Sequence, residues 1–76
     1  MTRAFRKPNF ETGQIELRLE DGEVCIYATN TGLEKLIAFC KSLLDDPRQG
    51  HIHLEDYGVL TAGSLRGALA VFPSET

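Results

Sequence analysis

The pair Asp21-Gly22 lies between two segments in which apolar and polar residues alternate. Asp-Gly favours a two-residue type I′ turn, because both central residues of that turn need a positive φ. If these two residues form the loop, the register of the flanking strands is set, and it aligns three apolar pairs on one face: Leu19 with Val24, Leu17 with Ile26, and Ile15 with Ala28. The sequence therefore predicts an antiparallel hairpin with this apolar face in the core. The opposite, open face would carry Glu16, Arg18, Cys25 and Tyr27.

A helix is predicted next. Thr31 and Glu34 are spaced as a capping box with Thr31 as the N-cap, and the helix should run to about Leu44, because Pro47 disfavours helical geometry at Asp46. Apolar residues at spacings of three and four form a stripe that should face the core, with Phe39 at its margin: Leu33, Leu36, Ile37, Cys40, Leu43 and Leu44. Cys40 would then point inward and Cys25 outward, so no disulfide is expected between them.

Two further strands are predicted after the helix. His51–Glu55 alternates, with Ile52 and Leu54 apolar, and a last strand runs from Leu65 or Arg66 to Phe72. In the last strand Leu69 and Val71 should face the helix, leaving Ala68, Ala70 and Phe72 outward. The order ββαββ predicts an α+β fold with a four-stranded, mainly antiparallel sheet and one helix packed on one face. It would form a single small domain over residues 13–76, preceded by a basic N-terminal arm, residues 1–12.

The charge balance narrows the classes of partner. The chain has eight Lys and Arg against eleven Asp and Glu, a net charge of −3, which argues against binding nucleic acid. Arg3, Arg6 and Lys7 lie in the arm, so residues 8–76 carry a balance of −6. Such an acidic body suits a basic partner and is equally an ordinary aid to solubility. There is no apolar run of membrane-spanning length and no signal peptide, so we expect a cytoplasmic protein with reduced thiols and no membrane partner.

The uncovered sheet face is where a function is expected. Its candidate partner-binding residues are Tyr27, Arg18, His51, His53, Glu55 and Phe72. His51, His53 and Glu55 alternate along one strand and are also weak candidates for a metal site, since imidazole is a common metal ligand; a solvated strand face displays the same pattern. Gly63-Ser64 lacks a G-x-S-x-G elbow, and no glycine loop would hold a phosphate. We therefore expect no catalytic residues and no cofactor.

The segment Gly50-His51-Ile52-His53-Leu54-Glu55-Asp56, the later pair Gly63-Ser64 and the leucine-rich helix before them resemble the small immunity proteins of bacterial polymorphic toxin systems, family thirty-two. The resemblance covers about Ile15 to Phe72, and its distinctive part is the histidine strand and the Gly-Ser step. It implies a non-catalytic protein that binds and neutralises a cognate toxin in the cell that makes it. Two alternatives stay open: a metal- or ligand-binding protein that uses His51, His53 and Glu55, and a domain that forms a homodimer through the open sheet face.

Overall fold

A computed structural model describes residues 5–73 of the chain. Two strands form first, β1 at Ile15–Glu20 and β2 at Glu23–Ala28, followed by the helix α1 at Asn30–Asp45. Two short strands follow, β3 at His51–His53 and β4 at Ala68–Ala70, and 3-10 turns lie at Pro47–Gln49 and Leu54–Tyr57. The fold class is α+β, as predicted. The first four residues of the basic arm lie outside the described part of the chain.

The β1–β2 hairpin confirms the register predicted from its turn. Leu17 pairs with Ile26, and Glu20 pairs with Glu23 next to the loop. Asp21 and Gly22 have φ values of 54° and 77°, the left-handed region that a type I′ turn requires at both positions. Local turn chemistry and the period-two pattern therefore suffice to specify this element.

The strands form two separate two-stranded sheets, β1–β2 and β3–β4, rather than the single four-stranded sheet that the sequence predicts. The second edge of β1 is occupied by the segment that follows β3. The N–H of Ile15 donates to the carbonyl of Val59 at 2.8 Å, and that of Thr61 donates to the carbonyl of Ile15 at 3.0 Å. This segment passes parallel to β1, and β3 and β4 form a sheet of their own.

The histidine strand is shorter than predicted, because it ends at His53. Residues Leu54–Tyr57 form a 3-10 turn instead, which Gly58 terminates with a φ of 67°. Glu55 therefore does not continue the alternation of the two histidines. The last strand is also reduced to Ala68–Ala70, in register with β3: His51 with Ala70, Ile52 with Leu69 and His53 with Ala68.

The helix begins two residues earlier than predicted. Its N-cap is Thr29, whose hydroxyl accepts the N–H of Gly32 at 3.0 Å and also that of Gly13 at 2.8 Å. The prediction that Thr31 caps the helix is wrong, because Thr29 satisfies two backbone donors at once. The helix ends at Asp45, one residue beyond the predicted end.

Only part of the apolar stripe of α1 faces the core. Leu43 is buried, and Leu36 and Phe39 pack against the core cluster, which is formed by Ile15, Leu17, Leu43, Ile52, Leu54 and Val59. Leu33, Ile37, Cys40 and Leu44 are exposed, so their predicted burial is wrong, and Phe39 belongs to the inner side rather than to the margin. The stripe spans more of the helix circumference than one small sheet layer covers.

Candidate functional site

The hairpin face that was expected to be open is covered. Tyr27 and Cys25 are buried, and so is the Glu16 side chain. The ring of Phe5, in the N-terminal arm, meets the ring of Tyr27 edge-on with their centroids 5.8 Å apart. Tyr27 and Arg18 were predicted as partner-binding residues; in the structure the Tyr27 ring lies inside the fold, and Arg18 is engaged with its neighbours. The two cysteines exchange their expected positions, with Cys25 buried and Cys40 exposed, and no disulfide joins them.

A polar network fills this face of the hairpin. The Arg18 Nε donates to Glu16 Oε2 at 2.6 Å, and its guanidinium carbon lies 4.6 Å from the centre of the Tyr27 ring. The Thr61 hydroxyl donates to Glu16 Oε1 at 2.6 Å, and the Tyr27 hydroxyl donates to Glu20 Oε1 at 2.8 Å. The Thr61 bond joins the hairpin to the segment after β3 and the other contacts join β1 to β2 or lie along β1, so the network has a structural role.

The network shifts the ionisation of its members. Hydrogen bonds from Thr61 and then Arg18 lower the pKa of Glu16, and the hydrogen bond from Tyr27 lowers the pKa of Glu20. Desolvation, and then the hydrogen bond to Glu20, raises the pKa of the Tyr27 phenol. Each shift favours the protonation state that the hydrogen bonds already use. Both carboxylates are therefore held ionised.

The histidines stay on the surface, as predicted. The rings of His51 and His53 lie edge-to-face with their centroids 4.8 Å apart, and His53 Nδ1 is 3.4 Å from Glu55 Oε2. The same carboxylate is 3.7 Å from Arg66 Nε. Hydrogen bonds from backbone N–H groups, first of all that of Glu55 itself, lower the pKa of the Glu55 carboxyl group.

The other predicted site residue, Phe72, is strongly exposed beyond β4. Among residues 5–73, no three His, Cys, Asp or Glu side chains are grouped so as to hold a metal ion.

The apolar face of the hairpin is exposed near its tip. Leu19, Val24 and Ile26 are 63%, 68% and 56% exposed, although Leu17 on the same face is only 8% exposed. With the half-exposed Leu65 they form what we call the hairpin surface: Leu19, Val24, Ile26 and Leu65. A groove of about 280 Å³ lies beside it, between the hairpin, Leu36 of the helix and the residues Leu65–Leu69. Asp21 stands at the turn next to it, whereas Glu20 and Glu23 pair on the opposite face of the hairpin, where the Glu20 carboxylate accepts from the Tyr27 hydroxyl.

A second exposed apolar surface lies along α1. It consists of Leu33, Ile37, Cys40 and Leu44, which we call the helix stripe, and it borders a groove of about 560 Å³. Leu36 lines this groove and the one beside the hairpin surface, so the two surfaces adjoin. The sequence predicted that the helix stripe and the three hairpin residues Leu19, Val24 and Ile26 lie in the core. The number of aliphatic side chains could have indicated this exposure, because α1 and the hairpin carry more of them than a single helix-on-sheet contact can cover.

Neither the family models, nor the curated proteins, nor the solved structures contain a match to this chain. Within residues 5–73, no helix has the length and apolar character needed to cross a membrane.

Proposed function

We propose that this protein is a non-catalytic protein-binding module of the immunity type, which neutralises a cognate toxin by holding it against the hairpin surface. The observation that carries the proposal is the exposure of Leu19, Val24 and Ile26 on a well-formed hairpin. Large aliphatic side chains grouped in this way on a soluble domain mark an interaction surface. The resemblance of the histidine strand and the Gly-Ser step to immunity proteins supports the class of partner.

Charge supports a basic partner. Asp21 stands at the turn that joins the two strands of the hairpin surface, and residues 8–76 carry an excess of six negative charges. An apolar centre with a charged rim is the common organisation of protein interfaces, and complementary charge speeds association. A toxin with a basic cleft or rim would match this arrangement. Neutralisation then requires only that docking blocks the toxin's own working surface.

The test is a co-expression assay with the product of the adjoining gene, since toxin and antidote are normally encoded together. The unaltered chain should restore growth of a host that makes this product, and the two proteins should co-purify. Val24→Asp should abolish both effects, because it places a charge in the centre of the hairpin surface. Phe72→Asp, at an exposed position outside that surface, serves as the matched control and should retain them.

Three outcomes would contradict parts of the proposal. If the neighbouring product is neither toxic nor bound, the immunity function is wrong. If Phe72→Asp abolishes binding and Val24→Asp does not, the function stands but the β3–β4 face is the docking surface. If catalytic turnover of the partner accompanies protection, the non-catalytic class is wrong.

A metal-binding function is the second candidate, because two imidazoles lie in contact and one of them approaches Glu55. Two histidines on one strand provide two ligands, and a site would need others. Calorimetric titration with Zn²⁺ or Ni²⁺ tests it directly. A heat of binding and a raised melting temperature that both disappear in a His51→Ala, His53→Ala variant would favour this function; unchanged heats would remove it.

A further inference from the structure

The helix stripe has the spacing of a helix-pairing seam. Its members follow one another at intervals of four, three and four residues, which are the a and d positions of a heptad repeat. Leu33, Ile37 and Leu44 are 50%, 66% and 72% exposed. The neighbouring side of the same helix, at Leu36 and Leu43, already packs on the core. Helix α1 is thus apolar on two adjacent sides, and the core formed by residues 5–73 covers only one of them.

The charges beside the helix stripe indicate a symmetric partner. Glu34 and Lys41 directly follow the stripe residues Leu33 and Cys40, so they occupy the same position in two successive heptads. In an antiparallel pair of identical helices these positions face each other across the seam. Glu34 of one copy then lies near the partner's Lys41, and the pair occurs twice by symmetry. In a parallel pair the facing positions would be Leu36 and Leu43, which offer no charge.

To contact the partner's Glu34, Lys41 must give up an ion pair that it makes within its own chain. Its Nζ lies 3.3 Å from Asp45 Oδ2, and both side chains are largely exposed. An exposed i,i+4 pair of this kind contributes little to stability. Lys41 can therefore turn toward the partner's Glu34 at small cost.

We propose that a second copy of this chain docks on the helix stripe, so that two α1 helices pair antiparallel about a two-fold axis. Leu33 packs near the partner's Leu44, and Ile37 near the partner's Cys40. The helix has 16 residues, about 24 Å of length, so the contact is short and we expect a dissociation constant in the micromolar range. The interface does not use the hairpin surface, and the proposal is independent of the proposed function.

Sedimentation equilibrium of the full chain up to several hundred micromolar tests the dimer. The mass should rise with concentration toward twice 8.4 kDa. Ile37→Asp should keep the chain monomeric over this range, with an unchanged circular dichroism spectrum, because the position is exposed in the single chain. Val24→Asp, an equally exposed position on the hairpin surface, is the matched control and should still dimerise. A monomeric unaltered chain, or a dimer that Val24→Asp abolishes and Ile37→Asp spares, overturns the proposal.

Charge reversal tests the antiparallel arrangement. Lys41→Glu alone should raise the dimer dissociation constant about tenfold, because it breaks two symmetry-related pairs and sets like charges together. Combining it with Glu34→Lys should restore dimerisation, since the facing charges are again opposite. If the double variant is as weak as the single one, the antiparallel register is wrong. These variants leave the hairpin surface intact, so they separate failure of the dimer from failure of toxin binding.

Discussion

Glu16 illustrates how a residue in a predicted polar position acquires a structural role. Alternation alone places it on the face opposite Leu17, and the sequence correctly assigned it there. Its burial follows from two contacts made at a distance along the chain: the Thr61 hydroxyl reaches its carboxylate, and the N-terminal arm approaches the same face at Phe5. A buried carboxylate is tolerated because both of its oxygens accept strong hydrogen bonds.

We expect Glu16→Gln to lower the free energy of unfolding by about 1–3 kcal/mol at neutral pH, because it removes charge-assisted hydrogen bonds at a buried site. Urea unfolding monitored by circular dichroism measures this. Glu11→Gln, at an exposed position, is the control and should change the midpoint little. Equal losses in the two variants would show that the network does not stabilise the fold.

The same residue gives an expected pH dependence. The pKa of Glu16 in the folded chain is lowered from 4.5, so the stabilisation is fully present above that value and is lost as the pH falls through the lower, folded pKa. The unfolding free energy should therefore decrease below about pH 4.5. In Glu16→Gln this decrease should be smaller, since one carboxylate no longer takes up a proton on unfolding. An identical acid profile for both proteins would contradict the assignment.

At the scale of elements, local signals predicted the turn and the extent of the helix well. The Asp-Gly turn needs only the backbone preferences of two residues, so its register was predictable. The N-cap was not, because two threonines lie close together and only the folded chain decides between them. Thr29 is selected because Gly13, sixteen residues away, also donates to its hydroxyl.

We predict that Thr29→Ala costs about 1–2 kcal/mol of unfolding free energy, since it leaves two backbone donors without their acceptor. Thr31→Ala is the matched control within the same helical turn. Its loss of unfolding free energy should be only a small fraction of that for Thr29→Ala, because Thr31 is already inside α1. Thermal unfolding of both variants measures the difference. A larger loss for Thr31→Ala would favour the capping box that the sequence suggested.

At the scale of the molecule, the decisive feature is how little of the hairpin the helix covers. Leu17 and Leu19 lie on one strand and one face, yet they are 8% and 63% exposed. The sequence treats them alike. Their difference arises because the core lies at the base of the hairpin, around Ile15 and Val59, and the tip extends beyond α1.

Because Leu17 is buried and Leu19 is exposed, the same Leu→Ala substitution should have different effects on stability at the two positions. Leu17→Ala should lower the unfolding free energy by about 2–5 kcal/mol, because it opens a cavity in the core. Leu19→Ala should cost less than about 1 kcal/mol, since its side chain loses little burial. Denaturant unfolding at a protein concentration well below the micromolar range measures both. Comparable losses would show that the tip of the hairpin is covered in solution.

The sequence by itself determined the α+β class, the hairpin register, the approximate span of the helix and the outward position of the two histidines. These depend on interactions within a few residues or on side-chain periodicity. Only the tertiary structure decided which apolar side chains are buried, because that depends on the area that the neighbouring element covers. Residues 59–65 run beside β1 where a further strand of one sheet was expected, Tyr27 is buried beneath contacts with Phe5 and Arg18, and Val24 and Ile37 remain on the surface. The excess of aliphatic residues was visible in the sequence; its division into a small core and two exposed surfaces was settled by long-range packing.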